Sequence, residues 1–87
     1  MYQITIKPSA KKDLKKLPIS IATKIADKID LLSVEPRPVG CKKLKSSHDN
    51  LWRVRVNDYR ILYRIDDNIQ IIDIHYIGNR KDIYDLL

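Results

Sequence analysis

Residues 51–63, Leu51-Trp52-Arg53-Val54-Arg55-Val56-Asn57-Asp58-Tyr59-Arg60-Ile61-Leu62-Tyr63, alternate apolar and polar side chains on both sides of a two-residue polar break. Period-two alternation sends successive side chains to opposite faces, so the stretch reads as a β-hairpin turning at Asn57-Asp58, two residue types that tolerate the positive φ of a short hairpin loop. Val56 then faces Tyr59, Arg55 faces Arg60, Val54 faces Ile61, Arg53 faces Leu62 and Trp52 faces Tyr63. One face, Trp52, Val54, Val56, Tyr59, Ile61 and Tyr63, is core. The other carries Arg53, Arg55 and Arg60 with Leu62 as its apolar member. Like charges directly opposite in a sheet are unfavourable by roughly a few tenths of a kcal/mol or more. The Arg55 and Arg60 pair therefore asks for an anionic partner.

A second hairpin is expected downstream, where Asp66, Asp67 and Asn68 interrupt the pattern before Ile69-Gln70-Ile71-Ile72-Asp73-Ile74-His75-Tyr76-Ile77. A two-residue turn at Asp67-Asn68 pairs Tyr63 with Ile72, Ile61 with Ile74 and Tyr59 with Tyr76. It sets His75 opposite Arg60 and Asp73 opposite Leu62. Arg55, Arg60 and His75 then share one cross-strand row, and a one-residue slip would drive this polar set into the core.

Upstream, Tyr2, Ile4 and Ile6 alternate with Gln3, Thr5 and Lys7 as a first strand stopped at Pro8. Ser9 is the expected N-cap of a helix through Lys16, with Ala10, Leu14 and Leu17 inside and Lys11, Lys12, Lys15 and Lys16 outside. Pro18 breaks it and opens a second helix to about Val34, striped by Ile21, Ala22, Ile25, Ile29 and Leu32. Glu35-Pro36-Arg37-Pro38-Val39-Gly40 connects to the hairpins. Lys42, Lys43 and Lys45, around Leu44, are candidates for the rim of a phosphate-binding surface, and 46–49 read as a polar loop. After Gly78, residues 79–87 read as a short C-terminal helix on which Arg80 and Tyr84, four apart, share a face near the arginine row. The expected fold is α+β, with an N-terminal strand, a two-helix hairpin on one face of an antiparallel sheet, a three-stranded meander and a short terminal helix.

Eighty-seven residues make one domain, 1–87, around one core. The net charge is +6, and it is uneven: eleven basic residues stand against five acidic ones before Leu51, and six against six from there on. Such a surplus points to a polyanion such as RNA or DNA, an anionic membrane surface or an acidic protein. The single cysteine, Cys41, excludes an internal disulfide framework, and one Cys with His48 and His75 far apart makes no zinc set. Two glycines leave no Gly-rich phosphate loop. No apolar run reaches the roughly 18 residues of a membrane span, and no signal-peptide pattern opens the chain. A cytoplasmic protein without metal or cofactor is expected.

The motifs at 51–56, at Asp58-Tyr59-Arg60-Ile61-Leu62-Tyr63 and at Ile77-Gly78-Asn79-Arg80-Lys81-Asp82-Ile83-Tyr84 resemble, in that order and across nearly the whole chain, the RelE/ParE toxin superfamily of bacterial toxin–antitoxin systems. The chain is most similar to the RelE branch, which cuts messenger RNA in the ribosomal decoding site. The resemblance implies attack of a ribose 2′-OH on the adjacent phosphate, giving 2′,3′-cyclic phosphate and 5′-OH ends. Arg53 and Arg55 stand at the family's basic strand positions, Arg60 and Arg80 at those of the phosphate clamp, and Tyr84 where a side chain stacks on a base or moves a proton. Some relatives have lysine at the first two positions, which can lose its proton where arginine cannot. His75, with its pKa range and its expected place opposite Arg60, is a candidate base. The implied partners are the ribosome and its messenger RNA, a small acidic antitoxin, and operator DNA only through the antitoxin complex. A ParE-like inhibitor of DNA gyrase and a non-catalytic homologue that only binds antitoxin are the alternatives.

Overall fold

The computed structural model describes residues 1–45 and 50–79. Their elements are β1 (Gln3–Ile6), α1 (Pro8–Lys15), α2 (Ile19–Val34), β2 (Lys42–Lys43), β3 (Trp52–Val56), β4 (Tyr59–Asp66) and β5 (Ile71–Asn79). The strands form one sheet in the order β1-β5-β4-β3-β2. Pairing is antiparallel from β3 to β5, as expected; the two-residue β2, not expected, adds antiparallel to β3, and β1 joins the far edge parallel to β5. A parallel partner needs a crossover rather than a hairpin, and the two helices supply part of it. They lie on one face, where Ala10, Ile25, Ile29 and Leu32 pack with Val54, Val56, Ile61, Tyr63, Ile72, Ile74 and Ile77 in a single core.

The helical stripes are those legible in the sequence, but the start of α1 is not. Pro8, rather than a residue after Ser9, is the first helical position, and Lys7 stands at the N-cap without a side-chain cap. Proline fits there because its missing N–H would have no helical partner and its φ is already helical. Ser9 is therefore inside the helix. α2 opens after Pro18 and ends as Glu35 turns extended before Pro36.

The first hairpin has the expected register, Val56 with Tyr59 through Trp52 with Tyr63, and Asn57 takes φ 53°. The second differs. Asp66 Oδ1 accepts hydrogen bonds from Asn68 N (3.0 Å) and Ile69 N (3.2 Å), and Gln70 adopts φ 54°. This aspartate-capped turn occupies residues 67–70 instead of two, so Tyr63 pairs with Ile74, not Ile72. A bulge at Leu62/Tyr63 then adds one residue on β5, pairing Leu62 with Tyr76, Ile61 with Ile77 and Arg60 with Gly78. The extra residue decides which side chain enters the core. Ile77, 1% exposed, fills the place expected for Tyr76, which turns to the opposite face with Leu44, Leu51 and Leu62.

The connector after α2 is pinned to the sheet end opposite the Asn57-Asp58 turn. Arg37 Nη2 meets Asp67 Oδ2 at 2.9 Å, its guanidinium lies 5.0 Å from the Trp52 ring centre, and Tyr2 donates to Asp67 Oδ1 at 2.6 Å. The hydrogen bonds from Arg37 and then Tyr2 hold the Asp67 carboxyl below its ordinary range. Tyr63, fully buried, donates its hydroxyl to the Pro36 carbonyl at 2.8 Å. Burial, with Cys41 nearby, pushes that hydroxyl well above the ordinary tyrosine value of 10.0. Above that value Tyr63 ionises in the unfolded chain but not in the folded one, so the unfolded state binds fewer protons and stability falls as pH rises. Thermal melts between about pH 9 and 11 are expected to show this decline, and Tyr63→Phe to make it shallower. An equally steep decline in the variant would assign it to other groups.

Candidate functional site

The sheet face turned away from the helices carries two cross-strand rows. Arg55 lies opposite Arg60, which lies opposite Gly78. Lys42 lies opposite Arg53, followed by Leu62 and Tyr76. Strand alternation places these side chains together because Val54, Ile61 and Ile77 must point the other way into the core. Leu51 and Leu62, with Leu44 and Tyr76 against them, form a small apolar floor beside the arginines.

The guanidinium groups differ in burial. Arg55 is exposed, Arg53 is half-buried and Arg60 is only 5% exposed. Arg60 Nη1 reaches the Tyr59 carbonyl at 3.4 Å. Arg53 Nε is buried without a hydrogen-bond acceptor among the described residues. A buried donor without an acceptor costs about 1–3 kcal/mol, which an entering anionic oxygen relieves. Where the β3–β4 turn meets the end of β5, a polar cleft of about 390 Å³ is lined, among the described residues, by Arg55, Asn57, Asp58, Arg60 and Asn79. Both arginines present planar donor forks matched to phosphate oxygens. The arrangement can hold a phosphodiester and stabilise further negative charge on it.

Gly78 is part of this geometry. A Cβ built there would lie 2.5 Å from Tyr76 Cε1 and 2.6 Å from its hydroxyl oxygen, so the missing side chain is what lets the ring lie across β5 at the position paired with Arg60. Tyr76 was hidden from strict alternation. The adjacent apolar pair Tyr76-Ile77, which breaks the period of two, was the available signal.

His75 is not opposite Arg60. It falls at the bulge, its side chain 13% exposed, with Nε2 3.0 Å from Asp73 Oδ2. Asp73 in turn accepts from Thr5 Oγ1 at 2.9 Å. His75 thus belongs to a Thr5, Asp73 and His75 chain leading toward β1, and it does not line the arginine cleft. Among the lysines, Lys42 joins the Arg53 row, Lys43 pairs with Trp52 and so alternates to the other face, and Lys45 is exposed just beyond β2. Arg80, Tyr84, the C-terminal helix and the loop bearing His48 lie outside the described residues. Among the described residues no group of three or more His, Cys, Asp or Glu is placed to hold a metal ion, and no helix is long and apolar enough to cross a membrane.

Residues 4–84 match the family model described as the ParE toxin of the type II toxin–antitoxin system parDE. Toxin RelG of Mycobacterium tuberculosis is 36% identical over 84 residues, covering 95% of each chain. Among solved structures, the RelBE2 toxin–antitoxin complex of Mycobacterium tuberculosis superposes with a TM-score of 0.81 at 32% identity, over 91% of this chain and 98% of that one. The archaeal RelE-RelB complex of Pyrococcus horikoshii does so with a TM-score of 0.80 at 29% identity, over 91% and 94%.

Proposed function

The chain belongs to the ParE toxin family of type II toxin–antitoxin systems, and from its likeness to Toxin RelG and to the toxin of the RelBE2 complex we propose that it is a ribosome-dependent messenger-RNA endonuclease restrained by a cognate antitoxin. The observation that carries this reading is the Arg55 and Arg60 pair at a polar cleft on an otherwise apolar-floored sheet face. In the reaction the 2′-oxygen attacks the adjacent phosphorus, the bond from phosphorus to the 5′-oxygen breaks, and a 2′,3′-cyclic phosphate and a 5′-OH remain. The 2′-OH gives up its proton and the departing 5′-oxygen gains one. Arg60 and Arg55 stabilise the charge that builds on the phosphorane, because fixed dipoles and charges need not reorganise as the charge develops. Arg53 and Lys42 extend the cationic row to a neighbouring phosphate. The resemblance adds Arg80 to the clamp and Tyr84 as the stacking or proton-moving group.

The described cleft residues include one carboxylate, Asp58, and no imidazole. Arginine is a poor proton acceptor, so much of the rate gain has to come from aligning the 2′-oxygen, phosphorus and 5′-oxygen in line. A ribosome that holds the message in a fixed conformation supplies that alignment. Two of the relatives named above were solved as toxin–antitoxin complexes. For this chain the matching partner is an acidic antitoxin segment that covers the arginine row and brings the toxin to operator DNA.

Primer extension on a reporter message in a translating extract tests the reading, with cuts expected at codons in the ribosomal A site. An intact message would refute it, and the ParE name of the matching family makes a gyrase supercoiling assay the next measurement. Gly78→Ala is expected to fold with little change in melting temperature, since only a terminal ring must move, but to cut about tenfold more slowly. A tenfold change corresponds to about 1.4 kcal/mol at the transition state, a reasonable effect for a displaced neighbour of the clamp. Unchanged cleavage would separate Tyr76 from the site.

A further inference from the structure

Among the described residues the aromatic side chains divide unevenly between the two faces of the sheet. Tyr2, Trp52, Tyr59 and Tyr63 pack against the core beneath the helices, and Tyr76 alone stands on the face of the arginines. It is there because the bulge at Leu62/Tyr63 sends Ile77 inward in its place. Its ring rests against the Leu51 and Leu62 cluster and stays half-buried, so part of it faces solvent. The far edge of the ring lies over Gly78, where a Cβ would come 2.8 Å from Tyr76 Cζ. At its backbone Tyr76 therefore belongs to the row of Leu62 and Arg53, and at its hydroxyl end it reaches the row of Arg60 and Arg55.

Any large aliphatic side chain could seal a cluster of two leucines, so packing alone does not call for a ring that crosses to the arginine row. A nucleobase does. Proteins that hold single-stranded nucleic acid combine a cationic track for the backbone with aromatic faces on which bases stack. Residues 76 and 78 of one strand are about 7 Å apart, at ~3.4 Å per residue. That is the scale on which a base stands off its own phosphate, so a phosphodiester held by Arg55 and Arg60 brings a flanking base to the Tyr76 ring. Sequence preference in such sites comes from stacking strength, and a purine offers the larger face.

We propose that the Tyr76 ring is a stacking platform for the base beside the clamped phosphate and gives the site a preference for a purine there. The inference rests on the messenger-RNA endonuclease reading and names a residue that selects where the message is cut. The probe is a trinucleotide of 2′-O-methyl RNA with 2-aminopurine at its centre, whose fluorescence is quenched on stacking and whose methyl groups block the 2′-oxygens, so that binding is read without cleavage. The wild type is expected to quench it. Tyr76→Leu keeps an apolar side chain on the leucine cluster and loses the ring, and is expected to lose the quenching and bind about five- to a hundredfold more weakly. Tyr76→Phe restores the ring and is expected to restore the quenching, and circular dichroism checks the fold of both variants. The same trinucleotide with a central uracil is expected to bind the wild type more weakly than the purine, and Tyr76→Leu is expected to bind the two alike. Quenching by Tyr76→Leu as strong as that of the wild type would overturn the proposal. So would an equal loss of affinity for purine and uracil, which is the mark of a packing role, and so would failure of the wild type to quench. If the probe stacks on Tyr76 but ribosome-bound message stays intact, the platform stands and the endonuclease reading falls. If the message is cut and the probe does not stack, the reading stands and the platform falls.

Discussion

Arg60→Ala is expected to lower cleavage of ribosome-bound message on the order of 10²- to 10³-fold, the usual loss when one fixed donor to a developing oxyanion is removed. Arg60 is the arginine whose position is most constrained: it is 5% exposed, faces Arg55 across the hairpin and lines the polar cleft. A buried guanidinium held against its own strand needs little reorganisation as charge builds on phosphorus, which is the condition for electrostatic catalysis. Arg60→Lys separates charge from geometry. It keeps the charge and loses the planar fork, so it is expected to fall between wild type and alanine. Single-turnover cleavage is the readout, and the near-ultraviolet dichroism of Trp52 and the tyrosines reports the fold. Cleavage within threefold of wild type in Arg60→Ala would remove this residue from the chemistry.

The largest expected effect on stability is at Ile61. It is fully buried on β4, the central strand of the sheet, which pairs with both β3 and β5, and lies opposite Val54 and Ile77. Ile61→Ala deletes three carbons from a site hemmed in by strands on both sides, where collapse around the gap is restricted. A loss of about 2–5 kcal/mol is expected, against a total of roughly 5–15 kcal/mol for a domain of this kind. The melting temperature should drop by about 10 °C or more. Ile69→Ala is the matched control, since Ile69 is 65% exposed in the β4–β5 turn and its truncation should change stability by less than about 0.5 kcal/mol. Urea unfolding of both variants measures the difference, and similar midpoints would place the core elsewhere.

What the sequence discloses follows from how local each determinant is. The register of the first hairpin is legible because its turn is two residues long and its alternation is unbroken, so every pair from Val56–Tyr59 to Trp52–Tyr63 follows by counting. The second hairpin is not, because two local events combine: Asp66 caps a longer turn through its own carboxylate, and a bulge at Leu62/Tyr63 exchanges Tyr76 for Ile77 in the core. Each shifts the count, and His75 leaves the arginine row as a result. The start of α1 at Pro8 is a competition between a serine cap and a proline first position that the proline wins. The site is legible in its arginines, whose mutual repulsion across the strands is visible in the order of residues alone. The role of Gly78 is not, since it depends on where a ring two residues away comes to rest.

The parallel edge has a consequence for how the molecule comes into being. Thr5 and Asp73 touch across 68 residues of chain, so β1 is synthesised long before the strand it pairs with. Closing so long a loop carries an entropic penalty that only the finished sheet repays, and non-local pairings of this kind slow folding. While the chain grows, the two helices have no completed sheet to cover, and β5, which supplies Asn79 to the cleft, emerges last among the described strands. A nascent copy therefore has no complete cleft until β5 has been made, and the grouping of Arg55, Arg60 and Asn79 arrives late and all at once.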